Sequence, residues 1–230
     1  MNVINELPFS PAAERNRQPI FLVIEPYLRC AESALEIGSG TAQHAVYFAA
    51  QCPNLKWQTT DQAPYLAGIR AQLKAHGLPN LPEPIEVDVN STSYAELVGQ
   101  YDFIYSANTL HIMDPSSVEN FFSGLGRLHK KQTVLALYGP FKIAGEFTSA
   151  SNAQFDMSLR ARGEGSAIRD KEWIEQLALQ VGFTLAHDIP MPANNQCLIF
   201  KISRQDKVIT TLNRNETDSA ARVQSAPGHL

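Results

Sequence analysis

The stretch Glu36-Ile37-Gly38-Ser39-Gly40-Thr41-Ala42 decides the fold, because it joins a short apolar run, 33–37, to a run with helical periodicity, 42–51. A strand that ends in two closely spaced glycines predicts a tight turn whose backbone a ligand can approach. The first N–H groups of the following helix have no partner inside that helix, so they are available to the same ligand. We predict a ligand-binding turn here; the alternative is a turn that uses glycine only for its own geometry.

Strand and helix patterns alternate on both sides of this turn. Further strands are predicted at 57–60, 85–89, 101–105, 133–138, 183–189 and 196–202. Helices are predicted within 10–28 and at 42–51, 64–75, 116–129 and 170–181. This alternation is typical of a parallel sheet with helices on both faces.

The end of the chain departs from that alternation. The last two predicted strands have no helix between them, which predicts an antiparallel hairpin. The fold class is therefore α/β, a mostly parallel seven-stranded sheet with an antiparallel C-terminal hairpin, in one domain over 1–202. The segment 139–169 is predicted to be the largest irregular region, and the polar stretch 203–230 a disordered tail.

Composition limits the partners and the compartment. The formal net charge of −4 disfavours binding to a nucleic acid, whose phosphate backbone needs a basic face. Cys30, Cys52 and Cys197 are far apart and form no spacing typical of a metal site or a disulfide framework. Neither a signal peptide nor an apolar run long enough for a bilayer is visible. We predict a cytoplasmic protein without a metal that binds neither nucleic acid nor membrane.

Two acidic residues follow neighbouring strands of the predicted sheet. Asp61 comes directly after strand 57–60, where a carboxylate can accept hydrogen bonds from both hydroxyls of a ribose. Asp88, in strand 85–89, is placed to meet the rim of an adenine, with Val87 or Val89 against the face of the ring. The alternatives are a helix N-cap for Asp61 and a solvated loop acid for Asp88.

These motifs resemble those of the class I S-adenosylmethionine-dependent methyltransferases. Their acid-x-Gly-x-Gly-x-small motif is similar to 36–42, with Ala42 where glycine is frequent, and Asp61 matches the acid that ends their second strand. The segments 101–111 and 124–130 resemble their fourth motif and the helix end before their fifth strand. The resemblance implies a Rossmann-like fold and S-adenosylmethionine as cofactor. The implied cofactor contacts are Glu36, Gly38, Ser39, Gly40, Asp61, Gln62, Asp88 and Asn108.

More narrowly, the chain resembles a methyltransferase-like family carried as a domain of unknown function, over roughly residues 8–202. The segments that carry this resemblance are 10–16, 138–141, 152–160 and 169–170. This resemblance indicates the fold and the cofactor more specifically than it indicates the substrate.

Residues for catalysis and for the methyl acceptor are predicted from their place in this fold. His111 follows the fourth strand, where the acceptor pocket opens, and its near-neutral pKa suits a general base. Tyr138 ends the fifth strand and is predicted to orient the acceptor; the alternative for both is structural packing. The predicted acceptor contacts are Arg15, Asn16, Asn152, Asp156 and Arg160. Arg162 is assigned to structure instead, and the alternative for Asp156 and Arg160 is an i,i+4 helical pair.

The predicted function is methyl transfer to an oxygen, nitrogen or sulfur atom of a small molecule. One alternative is a catalytically silent cofactor-binding protein or adaptor, because no base–nucleophile pair is evident. Another is a nicotinamide oxidoreductase, which is disfavoured by Gln43 at the position of the third glycine in the dinucleotide fingerprint. The oligomeric state is left open.

Overall fold

The computed structural model of the protein describes residues 7–91, 94, 97, 101–163 and 165–202. The predicted disordered tail, 203–230, lies outside these residues. Within the described part, the helices are α1 (Pro11–Leu28), α2 (Gln43–Gln51), α3 (Ala63–His76), α4 (Pro115–Leu125), α5 (Ala150–Arg160) and α6 (Lys171–Gln180), with a 3-10 turn at Pro192–Asn194. The strands are β1 (Ser33–Ile37), β2 (Lys56–Asp61), β3 (Ile85–Glu86), β4 (Tyr101–Ala107), β5 (His129–Gly139), β6 (Phe141–Ile143), β7 (Glu146–Phe147), β8 (Arg169–Asp170), β9 (Phe183–Met191) and β10 (Asn195–Ile202).

The main sheet of the described residues has seven strands in the order β3-β2-β1-β4-β5-β10-β9. The strands β3, β2, β1, β4 and β5 are parallel, whereas β10 runs antiparallel to both β5 and β9. The predicted fold class, including the C-terminal hairpin, is confirmed. The strand order reverses between β1 and β4, and ligands of open α/β sheets bind in the crevice beyond the carboxyl ends of the strands at such a point.

Side chains of alternate strand residues enter two hydrophobic cores, one on each face of the sheet. Phe103 and Tyr105 of β4 pack with α1, α2 and α3, whereas Ile104 between them packs with α4 and α6. This alternation follows from the period of two along a strand. Both faces are therefore covered by helices, which explains why the strands are rich in apolar residues. Within the described residues, no helix is long and apolar enough to cross a membrane.

The region 139–169, predicted to be irregular, contains regular secondary structure. It holds β6, β7 and α5, and β8 begins at its last residue; β6 pairs with β7 and β8 in a small second sheet. The buried face of α5 is formed by Asn152, Asp156 and Leu159, so two of its three inward side chains are polar. A helix with such a face lacks the apolar periodicity by which helices are recognised in a sequence.

Two predicted boundaries also differ from the structure. The helix predicted at 116–129 ends at Leu125, and His129 already pairs with Tyr101 at the start of β5. Gly124 and Gly126 lie at this end, and glycine has a low helix propensity. The strand predicted at 85–89 keeps strand pairing only at Ile85–Glu86, and Val87 and Val89 line a cavity at this edge of the sheet.

Candidate functional site

The turn after β1 is held by the neighbouring strand and admits only glycine at its first glycine position. The backbone N–H groups of Gly38 and Ser39 both donate to the Thr60 carbonyl, at 3.0 Å each. Gly38 has φ +78°, and a Cβ there would lie 2.9 Å from both Oγ1 and Cγ2 of Thr109. A side chain at Gly38 would therefore be strained by its backbone conformation and would also collide with the loop after β4.

Asp61, at the end of β2, is bonded to this turn. Its Oδ2 accepts a hydrogen bond from the Gly40 N–H at 2.7 Å, and its Oδ1 accepts one from the Gln62 N–H at 2.8 Å. Burial raises the pKa of Asp61 above its usual value, although these two N–H groups lower it. The carboxylate is thus held in one orientation at the sheet edge.

A cavity of about 670 Å³ opens above this edge of the sheet. It touches the last residues of β1, β2 and β4, as the strand order requires. The predicted cofactor residues that line it are Gly38, Gly40, Asp61, Gln62 and Asn108. Its other lining residues are Ile37, Tyr65, Val87, Val89, Asn90, Ala107, Thr109, Ile112, Met113, Asp114, Ser117, Arg162 and Ser166. A volume of this size lies within the range of about 300–1,000 Å³ that is typical of small-molecule sites.

Three predicted cofactor residues do not line the cavity. Glu36 is 2% exposed and lies behind the turn, where its Oε2 accepts a hydrogen bond from the Trp57 indole N–H at 3.1 Å. Burial raises the pKa of Glu36 to about 8. The hydroxyl oxygen of Ser39 faces inward and accepts from the Thr60 N–H. Asp88 accepts from the Asn90 N–H, while Val87 and Val89 on either side of it do reach the cavity.

The predicted catalytic residues lie beside Asn108, at the ends of β4 and β5. Asn108 has φ +56°, and its N–H donates to the Tyr138 carbonyl at 2.8 Å. A Cβ on Gly139 would be 3.7 Å from His111 Nδ1 and 3.8 Å from Asn108 Oδ1, so both atoms face the same glycine. His111 therefore adjoins the cavity through Asn108 rather than lining it.

His111 is neutral at physiological pH in this environment. Burial, followed by the positive charges of Arg169 and Arg162, lowers its pKa to about 4. Its ring packs edge-to-face on the ring of Phe155 from α5, with centroids 5.2 Å apart. The neutral imidazole has an unprotonated ring nitrogen, but this pKa makes it a weaker base than the near-neutral value expected from the sequence.

Tyr138, Asn16 and Arg15 lie away from the cavity lining. Burial raises the pKa of Tyr138, and the neighbouring side chains of Asn16 and Asn195 oppose this increase. Asn16 Oδ1 is 2.7 Å from His44 Nε2, which ties α1 to α2, and Arg15 is exposed on α1. The structure therefore groups Asn16 with Tyr138 in a packed contact between α1 and the sheet.

The remaining predicted acceptor residues stabilise α5. Asn152 donates to Thr148 Oγ1 and to the Asn194 carbonyl, both at 2.9 Å. Asp156 accepts from the Ile168 N–H at 2.7 Å and forms an ion pair with Arg160, as in the structural alternative. None of these three predicted side chains lines the cavity.

Several cavity residues were not predicted from the sequence, and Arg162 is the most informative of them. It lies just beyond the end of α5, and its assignment to structure is not what the cavity lining shows. Arg169 is the arginine with a structural role: its guanidinium donates to the carbonyls of Leu110, Met113 and Gly165. These bonds hold the loop that carries His111.

Solved structures with a similar fold include several methyltransferases. An O-methyltransferase family protein from Burkholderia thailandensis has a TM-score of 0.74 and 18% identity, covering 84% of this chain and 57% of that one. An O-methyltransferase from Nostoc punctiforme, described as putative, has a TM-score of 0.71 and 14% identity, covering 83% and 57%. Human N-acetylserotonin methyltransferase in complex with S-adenosylmethionine has a TM-score of 0.70 and 10% identity, covering 84% and 53%. The chain thus spans a little over half the length of these proteins and shares their fold.

The sequence also matches a family over nearly all of the described domain. The model of the family described as "Protein of unknown function (DUF938)" matches residues 7–202, which include α1, the glycine turn, α5 and the C-terminal hairpin. The resemblance to a domain of unknown function is therefore confirmed, and the chain belongs to the DUF938 family.

Proposed function

We propose that this protein is an S-adenosylmethionine-dependent methyltransferase that acts on a small-molecule acceptor. The observation that carries the proposal is the cavity of about 670 Å³ at the strand ends, where the glycine turn, Asp61 and Asn108 converge. The fold shared with solved methyltransferases supports it. The cytoplasmic location and the absence of nucleic acid and membrane partners remain predictions from composition.

The residues present suit the nucleoside part of this cofactor. Apart from Gly40 and its two chain neighbours, no atom of the described residues lies within 4 Å of where a Cβ on Gly40 would be, so the turn leaves open space beside its backbone. Asp61 lines the same cavity with a carboxylate that can accept hydrogen bonds from ribose hydroxyls. Val87 and Val89 supply apolar surface for the face of an adenine. The cavity therefore offers an acceptor for the ribose and apolar surface for the base of a nucleoside.

The chain's own residues then supply orientation and proton acceptance. When bound, S-adenosylmethionine supplies a methyl group activated by its sulfonium. We assign to Asn108 the positioning of the acceptor, because it lines the cavity and is anchored to β5 through its N–H. We assign proton acceptance to His111 Nδ1, the ring nitrogen that faces Gly139 and Asn108. Holding the nucleophile in line with the methyl group can account for much of the rate acceleration, about 7–11 kcal/mol at most.

Calorimetric titration with S-adenosylhomocysteine tests the cofactor site. We expect saturable binding by the wild-type protein and a loss of at least about tenfold in Asp61→Ala, because a hydrogen bond to a charged group contributes about 1.5–3 kcal/mol. Asp88→Ala is the matched control, since Asp88 follows the next strand, β3, and lies outside the cavity lining. A folded wild-type protein that does not bind the ligand would refute the proposal.

One observation favours a second candidate, a cofactor-binding protein without turnover. His111 is buried and does not itself line the cavity, so access of a nucleophile to its ring is not evident. The two functions are separated by incubating the protein with methyl-labelled S-adenosylmethionine and a metabolite extract. Label transfer that is lost in His111→Ala supports the enzyme, and tight binding without transfer supports the silent protein.

A further inference from the structure

Among the charged side chains that line the cavity, the carboxylates have hydrogen-bond partners among the described residues and the arginine does not. Its two carboxylates have partners within the chain: Asp61 accepts two backbone N–H groups, and Asp114 caps α4 and accepts from Ser116 and Ser117. Arg162 is the only cation among the described residues that line the cavity. Its guanidinium has no hydrogen bond or ion pair with any residue in the described part of the chain. An unpaired guanidinium at the edge of a cavity is available to an anion.

The other arginines of this segment are occupied. Arg160 is paired with Asp156, and Arg169 is bonded to three backbone carbonyls. Gly163, which has φ +75°, donates its N–H to the Arg160 carbonyl and turns the chain at the end of α5. Arg162 therefore reaches the cavity while Arg160, two residues earlier, does not.

Arg162 is also close to the proposed acceptor position. Its charge acts on His111, and Phe155 of α5 packs on the same imidazole. Ile112 and Met113 line the same cavity as Arg162 and add apolar surface. The cavity lining thus combines a cation with apolar side chains, and the neutral imidazole of His111, on which Phe155 packs, adjoins the cavity through Asn108.

We propose that Arg162 forms an anion-binding subsite for the methyl acceptor, which is an aromatic or apolar molecule carrying a carboxylate. This inference rests on the proposed methyltransferase function and names the substrate class. A carboxylate fits the planar, two-donor edge of a guanidinium better than a neutral group does. A phosphate monoester shares that chemistry and is distinguished by the experiment below.

The test uses the full chain saturated with S-adenosylhomocysteine and three probes of similar size: benzoate, phenyl phosphate and benzyl alcohol. Binding is measured by ligand-observed NMR. We expect benzoate to bind at least about tenfold more tightly than benzyl alcohol, and Arg162→Gln to remove that difference, as expected for a charge-assisted bond. Arg127→Gln, which removes an exposed positive charge on the loop after α4, is the matched control and keeps the preference. Thermal melting verifies that each variant is folded.

Each outcome has a definite meaning. A preference for benzoate that disappears only in Arg162→Gln supports the subsite. A stronger preference for phenyl phosphate means that the subsite takes a phosphate monoester rather than a carboxylate. Equal binding of benzoate and benzyl alcohol, or a preference that survives in Arg162→Gln, overturns the inference. Weaker binding of S-adenosylhomocysteine in Arg162→Gln with the benzoate preference intact also overturns it, because Arg162 then serves the cofactor. If the wild-type protein does not bind S-adenosylhomocysteine, the proposed function fails, and the same probes on the free protein still decide whether Arg162 binds anions.

Discussion

The substitution Glu36→Gln tests the electrostatics beneath the glycine turn. Glu36 is buried on β1, next to the Trp57 indole and one strand away from Asp61. Burial is the main reason that its pKa rises from 4.5 to about 8; the hydrogen bonds from Trp57 and Ser39 oppose the rise, and the charge of Asp61 adds to it. The side chain is therefore a neutral carboxylic acid at pH 7, and glutamine preserves its shape and the acceptor for Trp57.

The size of the effect follows from linkage between protonation and folding. A pKa that is higher in the folded state stabilises the protein at low pH, and this stabilisation is lost as the pH rises towards the folded value. In the unfolded chain Glu36 ionises near pH 4.5, so the free energy of unfolding of the wild-type protein decreases from about pH 4.5 to pH 8. The total decrease from this group amounts to about 5 kcal/mol, at 1.36 kcal/mol for each pKa unit. Glu36→Gln has no such titration, so it becomes more stable relative to the wild type as the pH rises.

Urea denaturation followed by far-UV circular dichroism, at pH 5, 6, 7 and 8, measures this difference. Other titrating groups, including His44 and His111, are present in both proteins and cancel in the comparison. Glu86→Gln serves as the control, because Glu86 is an exposed carboxylate on β3. We expect its difference from the wild type to change little over the same range.

The inference that Glu36 is a neutral, buried carboxyl group is refuted if the stability difference between Glu36→Gln and the wild type stays constant from pH 5 to pH 8. The same variant also tests the predicted contact between Glu36 and the cofactor. Because the structure places this side chain behind the turn, we expect Glu36→Gln to bind S-adenosylhomocysteine as the wild type does.

Two further variants test the two ends of the sheet, one beside the cavity and one at the opposite end. Gly38→Ala places a Cβ 2.9 Å from the Thr109 side chain at a residue with positive φ. We therefore expect the free energy of unfolding to fall by about 1–3 kcal/mol and calorimetry to show weaker binding of S-adenosylhomocysteine. Unchanged binding would contradict the close fit of the turn. Asp102, at the start of β4, accepts bonds from two backbone N–H groups before and at the start of β1 and from Lys130 at 2.7 Å. For Asp102→Ala we expect the free energy of unfolding, measured in urea, to fall by about 1–3 kcal/mol. We expect the affinity for S-adenosylhomocysteine to stay unchanged, and an altered affinity would argue against a purely structural role.

Much of the fold could be predicted from local patterns. The glycine turn after β1 and the acid that ends β2 lie where the sequence places them, because strand and turn preferences act over a few residues. The C-terminal hairpin was predictable since no helix separates β9 from β10. By contrast, α5 escaped detection because Asn152 and Asp156 form its buried face through bonds to Asn194 and Ile168, which lie far along the chain.

The sequence by itself therefore determined the sheet, its hairpin and the residues that end its strands. Only the tertiary structure decided which side chains share a cavity. It placed Glu36 behind the glycine turn, although the adjacent Ile37 lines the cavity, because successive residues of a strand point to opposite sides. It also separated Arg162, which faces the cavity, from Arg160, which pairs with Asp156. Two arginines two residues apart look alike in a sequence, and their different surroundings arise from contacts that the folded chain alone creates.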